Sequence, residues 1–340
     1  MDDRNKNLLL LAAGAGALLA ARALLRRRPE YDFRGKTVLI TGGSRGLGLV
    51  LARELAREGA RLAICARDEE ELERARFDLE QRGAEVFAHP CDVRDRSQVE
   101  EMVSAVRNSF GHIDALINNA GVIEVAPMEE MTLEDYREAM ETHFWGPLYT
   151  TLAVLPDMRR RRDGRIVNIT SIGGKISVPH LLPYSASKFA LVGFSEGLRA
   201  ELAKDGIVVT TVCPGLMRTG SPRNATFKGQ HRAEYAWFSI SDALPLTSMN
   251  AERAARQIIA ACKRGDAEVV LSVQAKLAVK FHALFPGLTA DLMGLVNELL
   301  PEPGGIGKER AKGEESESAL SPSFLTILND RAARQNNEVN

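Results

Sequence analysis

The sequence predicts one doubly wound α/β domain built on a parallel sheet, from three observations. Short apolar runs alternate with amphipathic runs along residues 33–275, the pattern that parallel strands joined by crossover helices require. The first apolar run, 37–41, leads through a turn containing Gly42, Gly46 and Gly48 into an amphipathic run at 49–58, a strand–turn–helix unit. The chain has 340 residues, 45% of them hydrophobic and 26% charged, enough for one such domain with extra segments at its ends.

Strands are expected at residues 37–41, 61–66, 85–90, 115–118, 165–170, 208–213 and 268–272, with helices in the intervals. The helix over 133–160 is long, and the run Arg159, Arg160, Arg161, Arg162 at its end suits the negative pole of a helix dipole. The alternative for those arginines is a patch for acidic lipid. Between 216 and 245 the regular pattern fails, and this segment carries Phe227, Tyr235, Trp237 and Phe238. Asn250 then caps a helix, and residues 276–300 read as a helical extension broken at Pro286 and Gly287. The stretch 301–321 is rich in Pro, Gly, Lys, Glu and Ser, so residues 301–340 are expected to form a flexible tail. Within it, 324–333 is suited to a short docking helix.

Two stretches carry chemistry. A glycine turn between a strand and a helix lets the backbone approach an anion at the helix N-terminus, so Gly42, Ser44, Arg45, Gly46, Leu47 and Gly48 read as a dinucleotide-phosphate cradle. The spacing is G-x-x-x-G-x-G rather than G-x-G-x-x-G. Downstream, Tyr184 and Lys188 lie four residues apart, on one face of a helix. A phenol titrates near pH ~10, and acid/base work near neutrality asks for a shift of roughly three units, which a close ammonium can supply. Ser171, thirteen residues before Tyr184, would hydrogen-bond the reacting oxygen. Alone, a Tyr and a Lys at this spacing are equally a structural pair on an amphipathic helix.

Together these motifs resemble the short-chain dehydrogenase/reductase family over residues 33–272. The match includes the glycine turn, Asn118-Asn119-Ala120-Gly121 after a strand, Asp92-Val93 after the third strand, and Pro214-Gly215 with Thr219 after the sixth. The resemblance implies a Rossmann-type single catalytic domain at 33–275 whose substrate lid spans 216–245. It implies an oxidoreductase moving a hydride between a nicotinamide and a carbonyl/alcohol pair, with Ser171, Tyr184 and Lys188 catalytic. It also implies cofactor contacts from Asp92, Val93, Asn119, Tyr184, Lys188, Pro214, Gly215 and Thr219, with Asn118 holding the central strands. The aromatic lid suggests an apolar or bulky substrate, although the same rings would equally cover a core edge or a subunit contact. A catalytically weak NADP(H)-binding redox sensor or membrane scaffold on the same fold is the alternative function.

One position departs from the family. His143 stands where an asparagine of the proton relay is expected, and an imidazole can also donate and accept. The other reading has His143 packing or capping within its helix. Cofactor choice follows from charge. The second strand ends at Ala66, where an acid would hold free ribose hydroxyls, and Arg67 follows it. With Arg45 in the turn, two guanidinium forks suit a 2′-phosphate, so NADP(H) is expected. NAD(H), with Asp68 swung back to the ribose, is the competing reading.

A formal net charge of −1 gives no reason to expect nucleic-acid binding. Cys65, Cys91, Cys213 and Cys262 lie singly and the six histidines are scattered, so reduced core thiols and no metal site are expected. A homo-oligomer is expected. Residues 8–25 hold one charge, Arg22, and precede Arg26, Arg27 and Arg28. Eighteen helical residues span about 27 Å, near the ~30 Å of a bilayer core. Residues 1–28 are therefore expected to contact membrane lipid as an anchor with the catalytic domain cytoplasmic. A helix lying at the interface or packing on a soluble cytoplasmic domain is the alternative.

Overall fold

The computed structural model describes residues 30–244, 248–318, 321, 323 and 326–339. The strands are β1 (Thr37–Thr41), β2 (Arg61–Ala66), β3 (Val86–Pro90), β4 (Ala115–Asn118), β5 (Glu124–Val125), β6 (Gly164–Ile169), β7 (Ile207–Cys213), β8 (Leu216–Arg218), β9 (Thr226–Phe227), β10 (Ser248–Asn250), β11 (Glu268–Val270) and β12 (Ala311–Lys312). The helices are α1 (Gly46–Arg57), α2 (Glu69–Gln81), α3 (Arg96–Phe110), α4 (Leu133–Met140), α5 (Gly146–Arg161), α6 (Leu182–Leu202), α7 (His231–Ala243), α8 (Ala251–Arg264), α9 (Val273–Leu284), α10 (Pro286–Asn297) and α11 (Ile327–Gln335).

Seven strands form the main sheet in the order β11-β7-β6-β4-β1-β2-β3, all parallel. A sheet covered on both faces needs strands that are apolar throughout, and β1, β4, β6 and β7 are buried along their whole length. One face packs against α1, α2 and α8 through residues such as Leu51, Leu55, Leu79 and Ile258. The other packs against α3, α5 and α6 through Val103, Met158 and Leu202. Short polar caps set the helix starts: the side chains of Asp68, Asp95 and Asn250 accept backbone N–H groups of α2, α3 and α8. The chain order reverses between β1 and β4, so the glycine turn after β1 and the Asn119 segment after β4 lie side by side at the carboxyl ends of the strands.

The structure corrects two expectations and decides between the two readings of a third. The helix expected over 133–160 is interrupted by a wide π turn at Glu141–Trp145, between α4 and α5. The four lid aromatics pack on one another, the core-edge alternative of the two readings: Trp237 meets Phe238 edge-on at 5.7 Å between centroids. Phe227, Tyr235 and Phe238 are buried with Val125 and Leu181, Phe227 meeting Tyr235 edge-on at 5.4 Å between centroids.

The second correction concerns residues 301–340, expected as a flexible tail. β12 pairs antiparallel with β9, which pairs with β5, so the segment adds a strand to the lid. One of its charges, Arg310, joins a cluster of ion pairs around the lid. Arg310 pairs with Asp135, Glu138 and Glu124, while the fully buried Lys228 pairs with Asp135 and Glu124. Gly305, at φ +60°, sits so close to the Gly229 carbonyl that a Cβ would lie 2.3 Å from its oxygen. The docking helix appears as α11, with Ala332 and Ala333 buried; Phe324 lies outside the described residues.

Helices α9 and α10 carry an exposed apolar stripe, Val273, Leu277, Phe281, Leu284, Leu288 and Leu292. Among the described residues no helix is long and apolar enough to cross a membrane. The expected anchor, 8–25, lies outside the described residues.

Candidate active site

The central strands are locked by a buried chain of polar side chains. Asn118 donates to Asn168 at 2.9 Å and accepts from Thr150 at 2.6 Å, and Asn168 donates to Ser195, which meets Thr211 at 2.7 Å. These bonds tie β4, β6 and β7 to α5 and α6, so the helix that carries Tyr184 and Lys188 is held against the strand end that carries Ser171.

Ser171 follows β6, and its hydroxyl accepts the Gly173 N–H at 3.0 Å. The Tyr184 ring lies beside it: a Cβ on Gly173 would fall 3.1 Å from Tyr184 Cε1 and 3.4 Å from Ser171 Oγ. Lys188, one turn along α6 and 4% exposed, places its Nζ 5.6 Å from the Tyr184 ring centroid and donates to the Ile169 carbonyl at 3.0 Å. Ser171, Tyr184 and Lys188 are thus brought together as the spacing implied.

The electrostatics differ from expectation. Tyr184 is half-buried, and desolvation pushes its pKa above the usual phenol value; the bond from Ser171 pulls it down and the charge of Asp242 pushes it up. Burial draws Lys188 itself down to about 7, while Cys213 pushes it up.

His143 reaches this cluster from the π turn. The wide turn swings the imidazole inward, where it is fully buried. Nε2 accepts the Val122 N–H at 3.1 Å, so Nδ1 carries the proton and donates to Ser187 Oγ at 2.8 Å. Ser187 in turn donates to the Tyr184 carbonyl at 2.8 Å. Burial, followed by the charge of Lys188, holds the pKa of His143 well below its ordinary value, so the ring is neutral. Both ring nitrogens are engaged, and they join the segment after β4 to the helix that carries Tyr184 and Lys188.

The glycine turn meets the geometric requirements of a phosphate cradle. Gly42 and Gly46 have φ of +63° and +53°, and a Cβ on Gly48 would lie 2.0 Å from the Gly42 carbonyl oxygen. Asn119 fastens the turn, its side chain donating to the Thr41 and Gly42 carbonyls at 3.1 and 3.0 Å. Leu47 is buried in the core beneath it. Arg67 is exposed at the end of β2. Asp68 is committed elsewhere, accepting the Glu71 N–H at 2.8 Å as the cap of α2. Asp92 pairs with Arg94 at 2.7 Å, and Val93 packs against Gly146. Pro214 accepts the Ile172 N–H at 2.7 Å. Gly215 lies against Ser272 and Ala275, and Thr219 is buried, its hydroxyl accepting the Ser221 N–H at 3.2 Å.

Several neighbours carry no local motif and were not legible in the sequence. Glu71 binds Arg45 at 2.6 Å, Asn224 accepts from Arg45 at 3.2 Å, and Glu338 lies 3.5 Å from Arg45. His180, at φ +61°, meets Glu234 at 2.8 Å and ties the loop before α6 to the lid helix. Its left-handed backbone gives no compositional signal.

A nicotinamide dinucleotide fits the donor set of this end of the sheet: a glycine-lined helix N-terminus, no acid free at the ribose position, and arginines nearby. A family model for short chain dehydrogenases matches residues 36–228, and the chain belongs to that family of oxidoreductases, whose fold binds a nicotinamide cofactor. The chain is 36% identical over 293 residues to a bovine (Bos taurus) dehydrogenase/reductase SDR family member 7B, covering 84% of this chain and 88% of that one. Among solved structures, a short-chain dehydrogenase from Streptomyces avermitilis is similar at TM-score 0.67 and 30% identity, covering 78% of this chain and 97% of its own. An actinorhodin polyketide ketoreductase variant crystallised with NADPH is similar at TM-score 0.62 and 34% identity, covering 70% and 95%.

Proposed function

We propose that this chain is an NADP(H)-dependent reductase acting on a carbonyl/alcohol pair, with Tyr184 as general acid. The observation that carries the reading is the gathering of the Ser171 hydroxyl, the Tyr184 ring and the buried Lys188, the last two on one helix. A phenol held above its ordinary pKa stays protonated at neutral pH, which suits donation to the oxygen of a carbonyl being reduced. Ser171 accepts from Gly173 and keeps its own proton to hold the same oxygen. Lys188, with its pKa drawn to about 7 by burial, would pass a proton toward the phenol. The bound nicotinamide supplies the hydride.

Arg45 and Arg67 would bind the 2′-phosphate, since Asp68 is occupied as a cap and Ala66 offers no acid. The NADPH bound by the similar ketoreductase agrees with that preference. Membrane attachment through residues 8–25 belongs to the same reading, resting on their apolar run and the arginines after it. The experiment is Tyr184→Phe: with a panel of ketones and aldehydes, NADPH binding should persist while turnover falls by about 10²-fold or more, the range of a lost general acid. A variant that turns over near the wild-type rate removes Tyr184 from the mechanism.

A further inference from the structure

The C-terminal residues lie in the glycine turn. The Gly46 N–H, at the start of α1, donates to the Asn336 carbonyl at 2.9 Å. A Cβ on Gly46 would fall 2.5 Å from Glu338 Oε1, so the carboxylate fills the space that the glycine leaves open. Arg45 Nε lies 3.5 Å from Glu338 Oε2, and Asn224 Nδ2 donates to that same oxygen at 2.6 Å. The Asn337 side chain donates to the Ser44 and Glu71 carbonyls at 2.9 Å each and accepts from Arg74 at 3.0 Å. Arg53 donates to the Gln335 carbonyl at 2.9 Å. Asn336 donates to the Thr219 carbonyl at 3.3 Å.

The chain is shaped to arrive there. α11 packs so tightly on the turn at Gly220, φ +95°, that a Cβ at that glycine would meet the Ala333 backbone at 2.4 Å. Asn337 adopts φ +59°, the left-handed conformation that asparagine tolerates better than most residues, and this bends the chain so that Glu338 points into the cradle. Asn336 and Glu338 are 2% and 8% exposed.

We propose that residues 336–338 are an intrachain plug of the cofactor cradle, a carbonyl and a carboxylate taking the donors that the phosphates of a dinucleotide would take, so that tail and cofactor compete. The proposal rests on the cradle being the cofactor site. The oxygen of Asn336 uses a backbone N–H at a helix N-terminus, the kind of donor that binds phosphate. Glu338 uses Arg45, the guanidinium read as a 2′-phosphate ligand. A cofactor that must displace the tail binds with its intrinsic affinity reduced by the fraction of molecules whose cradle is open. The dinucleotide phosphate and the Glu338 carboxyl would both need Arg45 and the space over Gly46, so simultaneous occupation is opposed by space.

The test compares NADP+ affinity, by calorimetry, of the full chain, a chain ending at Gln335, and full-length Glu338→Ala. Truncation at Gln335 leaves α11 and its contact with Gly220 in place. The truncated chain should bind about tenfold tighter, equivalent to a cradle open roughly one tenth of the time, and Glu338→Ala should fall between. A synthetic peptide of residues 331–340 should weaken NADP+ binding to the truncated chain. Equal affinities of the three proteins overturn the plug, and weaker binding by the truncated chain overturns it in favour of a tail that covers bound cofactor. If the truncated chain binds neither NADP+ nor NAD+, the cofactor reading fails and the plug fails with it.

Discussion

The Ser187 hydroxyl accepts the His143 Nδ1 proton at 2.8 Å and passes a bond to the Tyr184 carbonyl, so the imidazole is fastened to the helix that carries Tyr184 and Lys188. With Nε2 taken by Val122, the ring acts on geometry. Its depressed pKa keeps it neutral across the working range.

His143→Leu should therefore leave the Val122 N–H without its partner, costing about 1–3 kcal/mol of stability, and lower kcat while changing KM for the cofactor little. His143→Asn should restore most of kcat, since an amide can accept and donate. The pH–rate profile of the wild type should have no limb near 6.5 that the asparagine variant loses. Such a limb, or a fully active leucine variant, would remove the positioning role.

Cofactor preference rests on Arg45 and Arg67. Replacing both with Ala should shift the ratio of NADP(H) to NAD(H) affinity by about 10–100-fold against NADP(H), the value of one or two charge-assisted hydrogen bonds, since release of Glu338 from Arg45 acts on both cofactors alike. Calorimetry with both cofactors measures the difference. Equal losses would assign the arginines to the fold or to the shared pyrophosphate.

Much of this was readable in the chain. β1, β2 and β4 fall at 37–41, 61–66 and 115–118, as their apolar runs predict, because a strand covered on both faces must be apolar end to end. The glycine turn and the Ser171, Tyr184 and Lys188 set were legible because each depends on local spacing. The π turn was not: its cause is the placing of His143 against Val122 and Ser187, contacts distant in sequence. The lid aromatics left two readings open because composition does not tell a ring facing a pocket from one packed on its neighbours, and they pack together. The tail after residue 301 was misread for a related reason. Low hydrophobicity marks disorder when charges have only water as partner, and here Arg310 and Lys228 meet Asp135 and Glu124.

That cluster makes a stability prediction. Lys228 and Asp135 are each 1% exposed at their side chains, and removing one partner of such a pair leaves a buried charge uncompensated. Lys228→Met should destabilise by about 3 kcal/mol or more, whereas Arg96→Ala, which breaks an exposed pair with Glu100, should change stability little. Chemical denaturation of the two variants gives the comparison. A loss at Lys228 as small as that at Arg96 would mean that Arg310 and Thr132 suffice to satisfy Asp135.

Glu338 makes the tail sensitive to pH. Burial pushes its carboxyl up to about 7; Arg45 and the Asn224 hydrogen bond pull it down, while Glu71 and Asp242 push it up. Arg53 and Arg74 hold the neighbouring tail residues without meeting this carboxyl. Released into water, the group would titrate near ~4.3. An acid whose docked pKa is raised binds more protons docked than free, so its contribution to docking is fully present below the free value and is lost as pH rises through about 7. The ratio of NADP+ affinities, truncated chain over full chain, should therefore fall as pH rises from 5.5 to 7.5, by up to about tenfold per unit below about 7, and level off above pH 7.5. The cofactor's own 2′-phosphate titrates near ~6, but it does so in both proteins and cancels in the ratio, as do first-order effects of Asp242. A ratio that is flat, or that grows with pH, would show that Glu338 is not the titrating contact between tail and cradle.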